Sequence, residues 1–352
     1  MIVFRADGNE YIGYGHVMRC LSLADAFVSR GEKCMFVLAE DKMAERIQNR
    51  GHETFVLGTN FREMEAECTK LCAFLSDRQV RLLIVDSYQV TAAYFEKLKG
   101  FAEKIAYVDD LGETAYPVDI LLNYNIYAQK LDYVGLYGKA GLPLPKLLLG
   151  PKYAPLRSGY EDCTAPVIAS KVQDICISTG GTDPIGLSKA LMEYLLGDAK
   201  QAFEASQIRF HFLIGSGNPD RDELIRMAGE ESNLYTYYDL PEVRSLFTKC
   251  DLILSAAGST LYEICALGVP CITYALADNQ LQGERAFEEE GLMRSLGDVR
   301  GDENVARNAF ESLMELANDP VKRAEMSKKM RMLVDGKGSK SAVFDMMRAD
   351  LC

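Results

Sequence analysis

The chain has 352 residues, with 39 Lys and Arg against 51 Asp and Glu, for a formal net charge of −12. That length suggests two domains of roughly 100–200 residues each. A composition of 48% apolar and 26% charged residues is ordinary for a globular protein and excludes disorder as the main state. The acidity argues against a nucleic-acid partner, because a phosphate backbone needs a basic footprint. It leaves room for a small anion held by helix N-termini.

The opening residues, Met1-Ile2-Val3-Phe4-Arg5-Ala6-Asp7, lack the basic and long apolar regions of a signal peptide. The longest uncharged stretch near the end, residues 264–277, is too short for a membrane span, which needs about 18–20 apolar residues. With ten cysteines, these features predict a cytoplasmic chain with reduced thiols and no membrane span. Cys68 and Cys72 stand four apart with no second Cys or His pair nearby, so no metal site is expected.

Short apolar runs alternate with helical patterns from end to end. Residues 2–4, 34–38, 82–85 and 106–108 read as buried strands. Val17, Cys20, Leu21, Ala24 and Val28 mark one face of a helix, with Gly31 placed as its terminator. Phe61, Met64, Cys68, Leu71, Cys72 and Leu75 form a second stripe. Five of the eleven prolines fall between residues 141 and 169, where a crossing between domains is expected. The alternation then resumes with strands at 174–178, 208–214, 252–255 and 269–273, and a helical tail from about residue 303 in which Pro320 starts a helix. This pattern predicts parallel, doubly wound sheets. The expected domains are residues 1–150 and 169–335, joined by a linker at 151–168, with a final helix in 336–352. Two such halves would leave a cleft, and ligands of open α/β sheets bind beyond the carboxyl ends of the strands.

Four loops after strands therefore carry the functional expectation. In the first, Gly13 and Gly15 let backbone approach a ligand, and His16 lies at the start of the next helix. The positive end of that helix favours neutral imidazole, a form able to accept a proton. The alternative is a dinucleotide loop with an incidental or capping His, but Met18 and Arg19 stand where the third glycine of Gly-x-Gly-x-x-Gly belongs. His52 is expected in solvent and His211 as a structural residue in a strand. The second loop is Ser178-Thr179-Gly180-Gly181-Thr182-Asp183-Pro184, either a phosphate cradle or a tight turn in which Asp183 and Pro184 open a helix. The third is Ala257-Gly258-Ser259-Thr260 with Glu263. There Glu263 either closes a capping box with Thr260 or accepts ribose hydroxyls while Gly258, Ser259 and Thr260 hold a phosphate. Asp278-Asn279-Gln280 ends the following strand. The fourth combines Asp86-Ser87-Tyr88 with Asp109-Asp110, acidic strand ends that form turns, orient a His or line a sugar pocket.

The segment Arg5-x-Asp7-x4-Ile12-Gly13-x-Gly15-His16-x2-Arg19-Cys20 resembles the opening motif of the UDP-sugar hydrolases of pseudaminic acid biosynthesis and of the related spore-coat polysaccharide proteins. The likeness continues through Val85-Asp86-Ser87-Tyr88, Asp109-Asp110, Leu121-Leu122-Asn123-Tyr124-Asn125, Gly150-Pro151-x-Tyr153-x2-Leu156-Arg157, Gly180-Gly181-Thr182-Asp183 and Gly258-Ser259-Thr260-x2-Glu263, ending near Asn279-Gln280. It implies an α/β chain of the GT-B type, with two Rossmann-like domains facing across a cleft. It also implies a metal-independent enzyme without cofactor, which hydrolyses UDP-2,4-diacetamido-2,4,6-trideoxy-β-L-altropyranose to UDP and free sugar. Under this resemblance His16 deprotonates the attacking water and Tyr88 stands near it. Arg5, Asp7, Gly13, Tyr14, Gly15, Asp86, Asp109 and Asn123 contact the substrate. The second-half loops, with Asn279 and Gln280, hold UDP. The final helix, residues 339–351, would cross back to the first domain. UDP is already a good leaving group, so one base plus donors on the diphosphate suffices, without a carboxylate pair. The competing readings are a GT-B glycosyltransferase, an epimerase and a non-catalytic nucleotide-sugar binder. A nicotinamide dehydrogenase lacks its third glycine.

Overall fold

The computed structural model describes residues 1–9, 11–229, 231–240 and 242–348. Contacts divide the chain into two units. One comprises Met1–Gly159 with the chain from Gly336 onward, the other Tyr160–Asp335.

The first unit is built on β1 (Ile2–Ala6), β2 (Cys34–Leu38), β3 (Glu53–Val56), β4 (Leu82–Asp86), β5 (Lys104–Val108), β6 (Ile120–Asn123) and β7 (Lys146–Leu149). They form one parallel sheet in the order β3-β2-β1-β4-β5-β6-β7. Every residue of β1, β4 and β6 is buried, as a parallel strand covered on both faces requires. The chain winds outward from β1 to β3, returns to pair β4 with β1, and winds out the other way. The switch point therefore lies between β1 and β4, where Ala6 stands opposite Asp86. On one face Leu71, Leu75, Tyr94 and Phe95 pack against Val3, Leu83 and Val85. On the other, Phe4 stacks on Phe36 at 4.9 Å and meets Phe27 of the helix Gly15–Val28 edge-on at 6.1 Å.

The second unit contains β8 (Asp174–Ser178), β9 (Arg209–Ile214), β10 (Leu234–Tyr238), β11 (Leu252–Ala256), β12 (Cys271–Ala275) and β13 (Arg294–Asp298). Their order is β10-β9-β8-β11-β12-β13, again all parallel. Here the switch point lies between β8 and β11, with Ser178 opposite Ser255.

Several boundaries differ from the sequence reading. Strands β3, β10 and β13 lie at sheet edges and carry mixed polar faces, so no continuous apolar run announces them. The strand expected at 269–273 begins at Cys271, because Gly268 (φ +72°) closes the preceding helix and Pro270 follows it. Val28, last of the first helical stripe, is 48% exposed, and Gly31 (φ +86°) lies two residues beyond the cap residue Ser29. Asp183 and Pro184 do not open the next helix. Asp183 (φ +47°) and Gly186 (φ +63°) are both left-handed, so the turn continues and the helix runs Leu187–Leu196. Among the described residues no helix is long and apolar enough to cross a membrane.

The helix Gly338–Met347 packs on the helix Gly15–Val28 and on the short turn Pro151–Tyr153. Residues 349–351 of the expected final helix lie outside the described residues. Tyr153 donates its hydroxyl to the Asp345 carboxylate at 2.7 Å, Lys146 Nζ donates to the Asp345 carbonyl at 2.7 Å, and Ser339 donates to the Leu156 carbonyl at 2.7 Å. Gly338 makes the approach possible, since a Cβ there would stand 2.1 Å from the Ala154 carbonyl oxygen. Gly338→Ala is expected to destabilise the first unit by about 1–3 kcal/mol, the usual cost of overpacking. Urea unfolding checks this, and an unchanged midpoint contradicts the docking described.

Candidate active site

The first loop closes on itself before it reaches the helix. Asn9 and Gly13 form a bridge, with Asn9 N–H donating to the Gly13 carbonyl at 3.2 Å. The Asn9 side-chain oxygen accepts from the N–H groups of Tyr11 and Ile12. Gly13 takes φ +74° to complete the turn, and space is open beside both Gly13 and Gly15. Tyr14 is then the N-cap, without a side-chain cap, and no acidic residue occupies the first turn. The positive end of this helix is therefore left to His16 and to whatever binds there.

His16, Arg19 and Cys20 share one helical face by their i, i+3, i+4 spacing, and all three meet Asp86 at the end of β4. His16 Nδ1 lies 2.6 Å from Asp86 Oδ1. Arg19 binds the same carboxylate with both arms, Nε to Oδ2 and Nη2 to Oδ1, each at 2.6 Å. Cys20 Sγ donates to Oδ2 at 3.5 Å. Arg19 Nη1 also donates to both Asp110 oxygens at 2.9 Å and to the Tyr124 hydroxyl at 3.0 Å. Asp110 accepts further bonds from the Tyr88 hydroxyl at 2.7 Å and from Asn125 Nδ2 at 3.1 Å. The Tyr88 ring meets the His16 ring edge-on at 4.8 Å.

This geometry fixes the imidazole tautomer. A bare Nδ1 would set a lone pair 2.6 Å from a carboxylate oxygen, so Nδ1 carries the proton and donates it to Asp86. Nε2 is then the basic nitrogen, and among the described residues no hydrogen bond is made at Nε2. His16 is 7% exposed, so the ring shows only an edge. Burial pushes the Asp86 carboxyl up. The charge of Arg19 and the hydrogen bonds from Arg19 and His16 outweigh that and hold it well below the usual carboxylate range. Burial likewise pushes the Tyr124 hydroxyl up to about 12, against the pull of Arg19.

Several residues expected at the ligand surface lie behind it. Arg5 is fully buried. Its guanidinium donates to Glu67 at 2.7 and 2.6 Å and to Asp7 at 2.5 Å. Asp7 also accepts the Ala39 N–H at 2.7 Å. Both are thus used up inside the sheet, since a buried charge must be paired. Asp109 accepts from the N–H groups of Leu111 and Gly112 and from the Tyr133 hydroxyl. Asn123 is likewise buried, bonded to Tyr133 and Asn125. Asn123 Oδ1 thereby holds Asn125, whose Nδ2 also reaches Asp110. Asp86, 1% exposed, orients His16 and does not face a ligand. His52, expected in solvent, is buried against Phe36 with Nε2 at 2.8 Å from Asp25. His211 is structural, held by Asp174 and Tyr237.

In the second unit the loops after β8 and β11 leave from paired strands. Gly180 (φ +86°) and Gly181 are exposed. Asp183 accepts the N–H groups of Leu187 and Ser188 at 3.0 and 2.9 Å, so that helix start is already capped by the chain itself. After β11, Gly258 and Ser259 are exposed, and space is open beside Gly258. Ser259 is the N-cap of the helix Thr260–Leu267, without a side-chain cap. Thr260 is therefore the first helical residue and stands one position out of register for the capping box with Glu263. Gln280 accepts the Leu276 N–H at 2.8 Å and shapes the turn after β12, while Asn279 is exposed. A fourth loop, Gly215-Ser216-Gly217-Asn218 after β9, escaped the sequence reading. Gly217 N–H donates to the Gly181 carbonyl at 3.0 Å, and a Cβ on Gly215 would lie 2.3 Å from that same oxygen. Its Gly-x-Gly directly after a strand was the available signal.

No family model matches the chain. It is 23% identical over 338 residues to the spore coat polysaccharide biosynthesis protein SpsG of Bacillus subtilis, covering 95% of this chain and 94% of that protein. It is 24% identical over 265 residues to the UDP-2,4-diacetamido-2,4,6-trideoxy-beta-L-altropyranose hydrolase of Campylobacter jejuni, covering 74% and 86% respectively. Among solved structures, MurG of Acinetobacter baumannii superposes with a TM-score of 0.66 at 13% identity over 99% of both chains. The UDP-GlcNAc 2-epimerase of Neisseria meningitidis, bound to UDP-GlcNAc, gives 0.64 at 13% over 99% of this chain and 100% of that one. The two parallel α/β sheets are thus those of the GT-B class, which glycosyltransferases share. Within that fold class the chain is similar in sequence to the SpsG protein and to the Campylobacter hydrolase.

Asp86 makes stability depend on pH in a definite direction. Its folded value lies below its unfolded one, so the stabilisation is complete above about pH 4 and fades as pH falls below that. Asp86→Asn should cost about 3–5 kcal/mol near pH 7, because Arg19 and His16 lose a buried partner. The gap to wild type should narrow when urea unfolding is repeated near pH 3. A gap that stays constant contradicts the assignment.

Proposed function

We propose that the chain hydrolyses a UDP-linked sugar. The observation that carries this reading is the His16–Asp86 contact of 2.6 Å, which holds the imidazole by Nδ1 and leaves Nε2 without a hydrogen bond among the described residues, at the switch point of a doubly wound sheet. In the proposed step, Nε2 takes a proton from water as the water oxygen attacks the anomeric carbon. The bond from that carbon to the β-phosphate oxygen breaks, its electron pair leaves with UDP, and the sugar is released with inverted configuration.

His16 is the catalytic residue of this reading and Tyr88 borders it. Tyr88 donates its hydroxyl to Asp110, and its ring stands edge-on to the imidazole. Gly13, Tyr14 and Gly15 present the loop backbone to the sugar. In the second unit the amides of Gly180, Gly181, Thr182, Gly258, Ser259 and Thr260 hold the diphosphate, with Glu263, Asn279 and Gln280 beside the nucleoside. The negative charge of UDP meets backbone dipoles there, so no basic surface is needed and the net charge of −12 is no obstacle. The name of the Campylobacter relative supports UDP-2,4-diacetamido-2,4,6-trideoxy-β-L-altropyranose as the substrate, and with it a cytoplasmic place in polysaccharide or nonulosonic acid biosynthesis. A second reading, transfer to an acceptor other than water, draws on the glycosyltransferase structures that share the fold.

His16→Ala should lower UDP release by about 10²–10⁴-fold, the usual share of a general base. Turnover within about threefold of wild type removes the base assignment. With the UDP-sugar in H₂¹⁸O, label should appear in the sugar, whereas acceptor-dependent release favours transfer. Gly258→Asp puts a negative side chain into open space and should weaken UDP binding at least about tenfold by like-charge repulsion, with the urea midpoint unchanged. Calorimetric titration with UDP reads this directly.

A further inference from the structure

His16 is faced by a defined set of charged and titratable groups. Asp86 comes from β4 and Arg19 from its own helix, while the Tyr88 ring comes from the segment after β4. One shell out lie Cys20 on Asp86, Asp110 from the segment after β5, and Tyr124 from the segment after β6. With neutral imidazole the cluster holds one guanidinium against two carboxylates, a sum of +1 − 2 = −1.

A lone buried carboxylate beside an imidazole would favour imidazolium, because an opposite charge stabilises the protonated ring. Such a ring has no lone pair for water. Arg19 stands against that preference. Arg19 places Nη2 2.6 Å from Asp86 Oδ1 and 3.2 Å from His16 Nδ1. Because Nδ1 is itself a donor, that second approach is no hydrogen bond. It sets a positive charge against the nitrogen that would share the imidazolium charge. Arg19 is kept there from its far side by Asp110, through two equal bonds of 2.9 Å, and its guanidinium lies over the Tyr124 ring at 5.5 Å.

Resting on the hydrolase reading above, we propose that Arg19, anchored by Asp110, is a positioning residue that offsets the Asp86 charge and so keeps His16 a neutral base. Asp86 can then orient the ring without protonating it. Asp110 serves as the anchor of Arg19. The planar fork matters as much as the charge, since a lysine at this position has no fixed geometry with which to span two carboxylates and leave the imidazole tautomer intact.

The test is a side-chain ¹H–¹⁵N titration of the three histidines in the full chain, with His16 assigned by its loss in His16→Gln. Arg19→Gln should raise the His16 midpoint by about one unit or more, the shift expected when a charge within about 4–6 Å is removed. Asp110→Asn keeps one acceptor oxygen for Arg19 Nη1, so Arg19 stays in place, and it should move the midpoint the other way because one negative charge leaves the cluster. Arg19→Lys should stay near the wild-type midpoint while its kcat for UDP release falls. The acid limb of the pH profile for UDP release should follow the same signs. Structural loosening alone would not move the midpoint in opposite directions in two variants. A midpoint in Arg19→Gln within about 0.3 unit of wild type, or below it, overturns the proposal. If that variant does not fold, a midpoint in Asp110→Asn that fails to drop overturns it instead. The titration needs no substrate, so its outcome is separate from the fate of the hydrolase reading. Full UDP release by His16→Ala removes that reading, whereas unmoved midpoints remove this one.

Discussion

One buried carboxylate organises the first unit. Asp86 ends β4, stands in register with Ala6 of β1, and is 1% exposed. It is the point at which the switch in strand order meets the first helix. A bare charge there would be intolerable, so its partners are dictated: Arg19 with both arms, His16 with Nδ1, Cys20 with its thiol. Those contacts fix the rotation of the helix about its axis, the tautomer of the imidazole and, through Arg19, the placement of Asp110, Tyr88 and Tyr124. Chemistry and architecture are the same set of bonds in this region.

The two units repeat one solution with different fillings. Each is a parallel sheet whose order reverses beside its first strand. Glycine-containing loops follow both flanking strands in the second unit, but only β1 in the first, where β4 leads into Ser87-Tyr88. In the first unit the space beyond those strands is lined by side chains that bind one another, and among the described residues no hydrogen bond is made at His16 Nε2. In the second it is lined by exposed backbone at Gly180, Gly181, Gly258 and Ser259. Ion-paired side chains suit proton transfer, because their charges are already compensated and fixed. Backbone donors suit a diphosphate, because they bind anions without adding positive charge to the surface.

The same logic sorts polar residues by depth. Arg5, Asp7 and Glu67 form a second buried ion-pair cluster on the other side of β1, with Tyr94 donating to Glu67 at 2.9 Å. Nothing in their residue types separates them from Arg19, Asp86 and Asp110. The difference is position: the second set sits at the carboxyl end of the switch strands with an imidazole edge beside it, while the first is closed over by the helices that cover the sheet.

The sequence by itself determined the class of fold and which loops follow its strands. Apolar runs alternating with helical stripes dictate parallel, doubly wound sheets, since strands of that kind must be covered on both faces. Glycines after strands, with His16 at a helix start, mark the loops that the switch points then select. What only the tertiary structure decided is which polar residues face outward. Arg5 and Asp109 look like ligand contacts in the sequence, and the fold turns them inward. Arg19 stands in the motif beside His16, yet its role depends on Asp86, 67 residues away, and on Asp110, 91 residues away. The loop at Gly215 matters because it leans on Gly181, a strand apart. Local spacing constrains which residues share a helix face, but charge compensation is settled by partners that only folding brings within hydrogen-bond distance.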